Sequence, residues 1–409
     1  MDVKKKVAVI GQGYVGLPLS ISLINSGYEV FGIDIDEALI ANLGQGISHI
    51  EDVKNSDLIR CLNTQRYSPT SNFEEVSQCS VIVICVPTPL DAERTPDLSS
   101  LKSAVESVAS YTNAKTLVIN ESTSYPGTLR DFIIPLFPKE IRDTCHFAIA
   151  PERINPGNSE FNLQKITRVV SGMTTESIAY VKEFYESINA SVYVVSKPEV
   201  AEYAKMLENA FRFINIGFIN ELAILTTSSG VDIFEVIDAA SSKPFGFLPF
   251  YPGIGVGGHC IPVDPIYLKF YAEQKNQSLD SVSIAENKND SMIGFAANRI
   301  KYLSGKNSKL VFYGVAYKAG LKDLRESPSM LLMSKLKLEG FEVVFIDDLV
   351  EQVNDFSVIN LESNYDLMIY VHGRNRLEEF ISSNKIKKIL DCSGTLTEGE
   401  KVYSLFSLR

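Results

Sequence analysis

KVAVIGQGYVG, residues 6–16, decides the fold. A short β-branched run flows into Gly11-Gln12-Gly13-Tyr14-Val15-Gly16, a GxGxxG pattern, and then into apolar residues at helical spacing. Each glycine has a physical reason: a tight turn at Gly11, backbone approach to a pyrophosphate at Gly13, and close helix–sheet packing at Gly16. The helix that follows would face a phosphate with its free N–H groups and the positive end of its dipole. Asp34 ends the next β-branched run, EVFGID (29–34). A carboxylate there accepts ribose hydroxyls and repels a 2′-phosphate, so the expected cofactor is NAD rather than NADP.

Outward from this stretch the same rhythm continues. VIVICVP (81–87), TLVINES (116–122) and HFAIAPE (146–152) are further strand candidates, nearly all apolar, as strands buried on both faces should be. Helical patterns between several of them predict βαβ units and a doubly wound parallel sheet, an α/β fold. Pro87-Thr88-Pro89 follows one such strand, where a ligand of this fold would lie.

A long helix is predicted next. Ser196 and Glu199 match a capping box with Pro198 in the first turn. Val200, Tyr203, Ala204, Leu207, Ala210, Phe211, Ile214 and Phe218 recur every three or four residues, and Gly230 is a stop. Such a helix would run roughly 50 Å and would join two domains. From residue 309 the α/β pattern resumes with KLVFYGVAYK, SMLLMSKLKLEG, FEVVFIDD, DLMIYVHG and KKILDCSG. The expected organisation is a Rossmann-like domain at 1–195, a helical linker and dimerisation region at 196–308, and a second Rossmann-like domain at 309–409.

Composition narrows the function. The 409 residues carry a formal charge of -11, which argues against a nucleic-acid or anionic membrane partner. Six cysteines show no CxxC pair and no metal-ligand spacing, so no metal is expected and a reducing compartment is. No signal peptide or membrane span is read from the sequence, and a cytoplasmic protein is expected. One cysteine stands apart: Cys260 lies in GVGGHCIPVDP (255–265), beside a histidine and among glycines rather than apolar neighbours.

That loop is one of seven stretches that occur in order: VPTP (86–89), ESTSYPGT (121–128), APERINPG (150–157), AKMLENAFRFINIGFINELA (204–223), YPGIGVGGHCIPVDP (251–265), GVAYKAGLKDLRESP (314–328) and HGRN (372–375). Together they resemble the UDP-glucose/GDP-mannose dehydrogenase family across nearly the whole chain. The resemblance implies two Rossmann-like domains joined by a long helix, dimerisation through that central region, and oxidation of a sugar C6 alcohol to a carboxylate with two NAD. It makes Cys260 the nucleophile. An enzyme that stops at the aldehyde needs none; one that continues to the acid can form a thiohemiacetal and then a thioester.

The resemblance assigns the other residues. Lys205 and Asn209, four apart on one helix face, would attend the C6 oxygen. Asp264 would order a water, although an aspartate before Pro265 also suits a plain turn. Glu152 would assist thioester hydrolysis, and Thr123 would sit near the water and the nicotinamide; both also suit ordinary loops. Pro87, Thr88, Tyr14, Val15 and Arg325 would join Gly11, Gly13, Gly16 and Asp34 around the cofactor. Arg153, Ile154, Arg212, Tyr251 and Gly257 would contact substrate. Lys318 and Arg374 would hold the UDP, as cations suited to a pyrophosphate.

Departures from the glucose-oxidising pattern bear on the sugar. Val263 and Glu121 stand where those relatives usually have Lys, and Arg153 follows Glu152. The resemblance is to the branch that oxidises UDP-N-acetylhexosamines, with UDP-N-acetyl-D-glucosamine the expected substrate. Its galactosamine and mannosamine epimers and UDP-glucose stay open. Two other classes also stay open. A two-electron dehydrogenase would need no Cys260, and a non-catalytic nucleotide-sugar sensor would need neither Cys260 nor Lys205.

Overall fold

The structure, a computed structural model, describes residues 6–153, 165–353, 356–357, 364–373, 375–397 and 399–407. The chain divides into two units, Met1–Glu208 with Ile266–Asn276, and Asn209–Pro265 with Gln277–Arg409.

The first unit is built on β1 (Lys6–Ile10), β2 (Glu29–Ile33), β3 (Tyr67–Thr70), β4 (Val81–Ile84), β5 (Leu117–Asn120), β6 (His146–Ile149), β7 (Arg168–Gly172) and β8 (Val192–Val194). They form one sheet in the order β3-β2-β1-β4-β5-β6-β7-β8. All pairings are parallel except β6 with β7. Successive residues of β1 serve opposite faces, as strand geometry requires. Val7 and Val9 pack with Leu17 and Leu23 of the helix Gly16–Asn25, while Ala8 and Ile10 pack with Leu101 and Val105 of the helix Ser99–Tyr111. Both faces are thus covered, which explains the unbroken apolar run. Strand order reverses at β1, whose neighbours are β2 and β4, so the loops after β1 and β4 flank the switch point. β3 was hidden in the sequence by Pro69; it survives because β3 is an edge strand.

The second unit carries β9 (Lys309–Tyr313), β10 (Glu342–Ile346), β11 (Asn364–Tyr370), β12 (Lys385–Asp391) and β13 (Val402–Ser404), all parallel, in the order β10-β9-β11-β12-β13. The doubly wound pattern therefore recurs, with β9 in the place of β1.

The central helix runs Pro198–Ser228 for 31 residues, beginning in one unit and ending in the other. The capping-box expectation is corrected: Glu199 pairs with Arg130 instead of turning back to Ser196. The stop is as read. Gly230 adopts φ +70°, and the Val231 N–H reaches back to the Thr226 carbonyl at 2.9 Å. The apolar stripe points outward: Tyr203, Leu207, Phe211, Phe218 and Leu225 are exposed, whereas Glu202, Lys205, Asn209 and Asn220 are buried. Among the described residues no helix is long and apolar enough to cross a membrane.

Within the second unit the helix Asp280–Ser304 packs against the central helix so closely that a Cβ on Gly217 would stand 2.9 Å from the Ala285 Cα. Gly217→Val is expected to lower stability by about 1–3 kcal/mol through overpacking. Calorimetry checks this, and an unchanged Tm would show that the helices separate freely.

Candidate active site

In the first unit the loop after β1 is held by backbone. The Gly11 N–H donates to the Ile33 carbonyl at 2.7 Å, and a Cβ on Gly11 (φ +90°) would meet the Cys85 carbonyl oxygen at 2.6 Å. A Cβ on Gly16 would collide with the Gly11 carbonyl oxygen at 1.8 Å. Gly13 differs: nothing lies within 4 Å of an added Cβ. The helix Gly16–Asn25 has no side-chain cap and no acid in its first turn. Two glycines are therefore fixed by the fold, while the third sits beside open space at an uncapped helix start, which fits a pyrophosphate.

Gln12, which the sequence reading passed over, is fully buried. Its Nε2 donates to the Val9 carbonyl at 2.9 Å and its Oε1 accepts from Tyr67 at 2.8 Å. Asp34 is half-buried and braces the turn by accepting the Gln12 N–H at 2.8 Å. Tyr14 donates to Glu51 at 3.3 Å. In the loop after β4, Pro87 is exposed and Thr88 buried, and the Thr88 carbonyl accepts from the Tyr267 hydroxyl at 3.0 Å.

Thr123 is half-buried beyond β5, and Glu152 is buried beyond β6. One Glu152 oxygen accepts the Arg153 N–H at 2.6 Å; the other lies 2.6 Å from Arg168. Arg153 gives its guanidinium to Glu208 on the central helix and to the Thr167 carbonyl, 2.8 Å away. Lys205 is buried, and among the described residues no carboxylate pairs with it.

In the second unit Asn209 donates to Asp264, and its oxygen accepts from Arg212. Asp264 is fully buried, and its N–H donates to the Cys260 carbonyl at 2.8 Å, opening the helix Asp264–Gln274. The glycines before Cys260 are required by close packing. A Cβ on Gly257 would meet Glu326, Tyr317 and Pro328 at 2.8 Å, and one on Gly258 (φ +90°) would strike the Tyr317 ring at 2.8 Å. They let the cysteine loop lie flat on residues 317–328.

Cys260 itself is half-buried, and all six cysteines are free thiols. Beside it stands a group the sequence reading missed. The His259 Nδ1 lies 3.0 Å from an Arg325 nitrogen and 3.7 Å from Asp323, and Arg325 grips Asp323 at 2.6–3.1 Å. Burial lowers the His259 pKa, but hydrogen bonds to Asp323 and Cys260 outweigh it and push it up to about 9. Burial raises Asp323, yet His259 and Arg325 hold it well below the usual carboxylate range. A histidine adjoining the cysteine was the available signal; the distant Asp323 that orients it was not legible. Arg325, expected at the cofactor, is thus engaged in the cysteine loop's own network.

Of the other expected substrate residues, Tyr251 is exposed and Lys318 half-buried. Ile154 and Arg374 lie outside the described residues. Among the described residues no cluster of His, Cys, Asp and Glu could hold a metal ion.

Three domain models of one family match in order: the NAD binding domain at residues 5–189, the central domain at 199–291 and the UDP binding domain at 311–386. The chain belongs to the UDP-glucose/GDP-mannose dehydrogenase family. It is an NAD-dependent UDP-sugar dehydrogenase. It is 34% identical over 353 residues to UDP-N-acetyl-D-glucosamine 6-dehydrogenase of Pseudomonas aeruginosa, covering 84% of this chain and 82% of that one. It is 32% identical to UDP-N-acetyl-D-mannosamine dehydrogenase of Methanocaldococcus jannaschii, over 98% of this chain and 96% of that one. The solved UDP-D-ManNAc dehydrogenase of Pyrococcus horikoshii superimposes with a TM-score of 0.87 at 29% identity, over 98% and 99% of the two chains.

The histidine network predicts a titration. Asp323→Asn should bring His259 down from about 9 toward the ordinary imidazole range. Its raised pKa stabilises the fold fully below pH 6.5, and that contribution is lost as pH rises through about 9. Ring-proton NMR follows the titration; an unmoved value would assign the raised pKa to the neighbouring Cys260 instead.

Proposed function

We propose that the enzyme oxidises the C6 alcohol of UDP-N-acetyl-D-glucosamine to the carboxylate, in two oxidations joined by a thioester on Cys260. The observation that carries the reading is the half-buried Cys260 thiol beside His259, in a chain with NAD- and UDP-binding domains. Bound NAD supplies the hydride acceptor, one molecule for each oxidation. Lys205, buried and with no carboxylate paired to it among the described residues, stabilises the developing charge on the C6 oxygen. Asn209, oriented by Asp264 and Arg212, helps hold that oxygen. The Cys260 sulfur adds to the aldehyde carbon as a thiolate, and the resulting oxyanion takes a proton to give a thiohemiacetal. Loss of a proton and a second hydride leaves the thioester. Glu152 then takes a proton from the water that cleaves it, and the acid leaves with the thiol restored. Glycines 11 and 16 and Asp34 hold the turn that seats the pyrophosphate, while Lys318 and Arg374 take the UDP phosphates.

The N-acetyl sugar is supported by the names of the similar proteins, one of glucosamine and one of mannosamine type. The mannosamine epimer is the second reading, since it is also the substrate named for the solved relative. The outward stripe of Tyr203, Leu207, Phe211 and Phe218 supports a homodimer through the central helix.

The test is NADH released per mole of sugar on UDP-N-acetylglucosamine, UDP-N-acetylgalactosamine, UDP-N-acetylmannosamine and UDP-glucose. Two NADH with the first is the expected result. Two with another sugar alone would replace the substrate, and one with every sugar would remove the thioester step. Cys260→Ala should cut formation of the acid by at least about 10³-fold, on the scale of losing a covalent nucleophile. Leu207→Asp with Phe211→Glu should halve the mass seen by analytical ultracentrifugation; an unchanged mass would place the subunit contact elsewhere.

A further inference from the structure

β7 is the strand that runs against its neighbour β6, with Ile149 opposite Ser171. Extended along the strands, that register sets Arg168, the first residue of β7, opposite Glu152. The inversion puts a cation where an all-parallel sheet would put the carboxyl end of a strand. Arg168 is 3% exposed and lies 2.9 Å from Glu121 and 2.6 Å from Glu152, which are 1% and 7% exposed. Its guanidinium stands over the Tyr185 ring at 5.0 Å, and the Tyr185 hydroxyl donates to Glu121.

Two carboxylates share one guanidinium in a buried place. For stability alone, apolar side chains of similar size would serve as well. Neutralising Arg168 would need only one of the two acids. The second, Glu152, is fixed at both oxygens, by Arg168 and by the Arg153 N–H. Among the described residues, the other titratable groups facing the cluster include Tyr185, on the helix Thr175–Glu186, and Cys85, after β4. Burial keeps both in their protonated forms. Burial also raises Glu121, against the pull of Arg168.

We propose that Arg168 and Glu121 are positioning residues for Glu152, keeping its carboxylate aimed and ready to accept a proton during thioester cleavage. The inference rests on the reading above that Glu152 serves that step. Water adds to the thioester carbonyl carbon and gives one proton to Glu152. The C–S bond breaks, its electron pair stays on the Cys260 sulfur, and the acid leaves; nothing is oxidised or reduced. Arg168 fixes the direction of the accepting oxygen, and Glu121, 2.9 Å away on the other side of the guanidinium, holds Arg168 in place.

The test uses the full chain with NAD and, separately, UDP-N-acetylglucosamine and UDP-N-acetylmannosamine. Three quantities are read: the rapid NADH burst, the sugar adduct on Cys260 by intact mass after acid quench, and kcat. Glu121→Gln should leave the burst in place, slow kcat several-fold and let the adduct accumulate. Arg168→Lys should keep the burst, slow kcat by about 10- to 100-fold and let the adduct accumulate. Burst and kcat falling together, with no adduct accumulating, would overturn the proposal in favour of a purely structural role. Should Arg168→Lys fail to fold, a Glu121→Gln variant that accumulates no adduct overturns it alone. A wild-type enzyme that forms no Cys260 adduct on either sugar overturns the thioester reading itself, a result distinct from any variant's.

Discussion

Polar side chains on the central helix are buried, and a buried polar group without a partner costs on the order of several kcal/mol. The fold around the helix answers that requirement. Glu202 accepts the Gly127 and Leu129 N–H groups at 2.6 and 3.2 Å, pinning the chain beyond β5. Asn209 takes Asp264, at the end of the cysteine loop. Asn220 accepts the Gly253 N–H at 3.0 Å and donates to Asn289 at 2.9 Å. Each of these segments is thus tied to the helix by the need to satisfy a buried polar side chain, while several large apolar side chains, Leu207 and Phe218 among them, face out.

The two sheets solve a common problem in the same way. In each, the loop after the first strand must turn sharply at the carboxyl edge. Asp34, following β2, accepts the Gln12 N–H at 2.8 Å. Asp347, following β10, accepts the Val315 and Ala316 N–H groups at 2.8 and 3.3 Å and the Leu349 and Val350 N–H groups at 2.9 and 3.1 Å. A carboxylate that takes several backbone donors is held in one orientation. In the second unit that carboxylate is fully occupied by its own backbone. In the first, fewer donors are gathered and Gly13 borders open space. The same frame therefore differs in detail, with a more fully occupied carboxylate in the second unit and open space beside Gly13 in the first.

Ion pairs elsewhere are mostly on the surface, such as Lys182 with Glu186 or Lys102 with Glu106, where each is worth at most about 1 kcal/mol. The groups at Glu121–Arg168–Glu152 and His259–Asp323–Arg325 differ in being withdrawn from water wholly or in part. Charges are costly there, and each such group adjoins a residue assigned to chemistry, Glu152 in one case and Cys260 in the other.

The sequence by itself determined the doubly wound repeats, the long helix and the cysteine loop. Apolar runs buried on both faces, three- and four-residue spacing and glycine clusters are local properties of a chain. It also marked Gly11, Gly16 and Asp34, because a turn's sterics are local. Tertiary structure alone decided what lies between distant segments. Periodicity gives an apolar stripe but not whether it faces in, and here Tyr203, Leu207, Phe211 and Phe218 face out while Ala210 faces in. The strand Tyr67–Thr70 was concealed by a proline that only an edge position tolerates. Arg168 meets Glu152 because β7 is inverted, and Asp323 meets His259 across more than sixty residues. Such pairings depend on strand direction and loop path, and no spacing in the sequence records either.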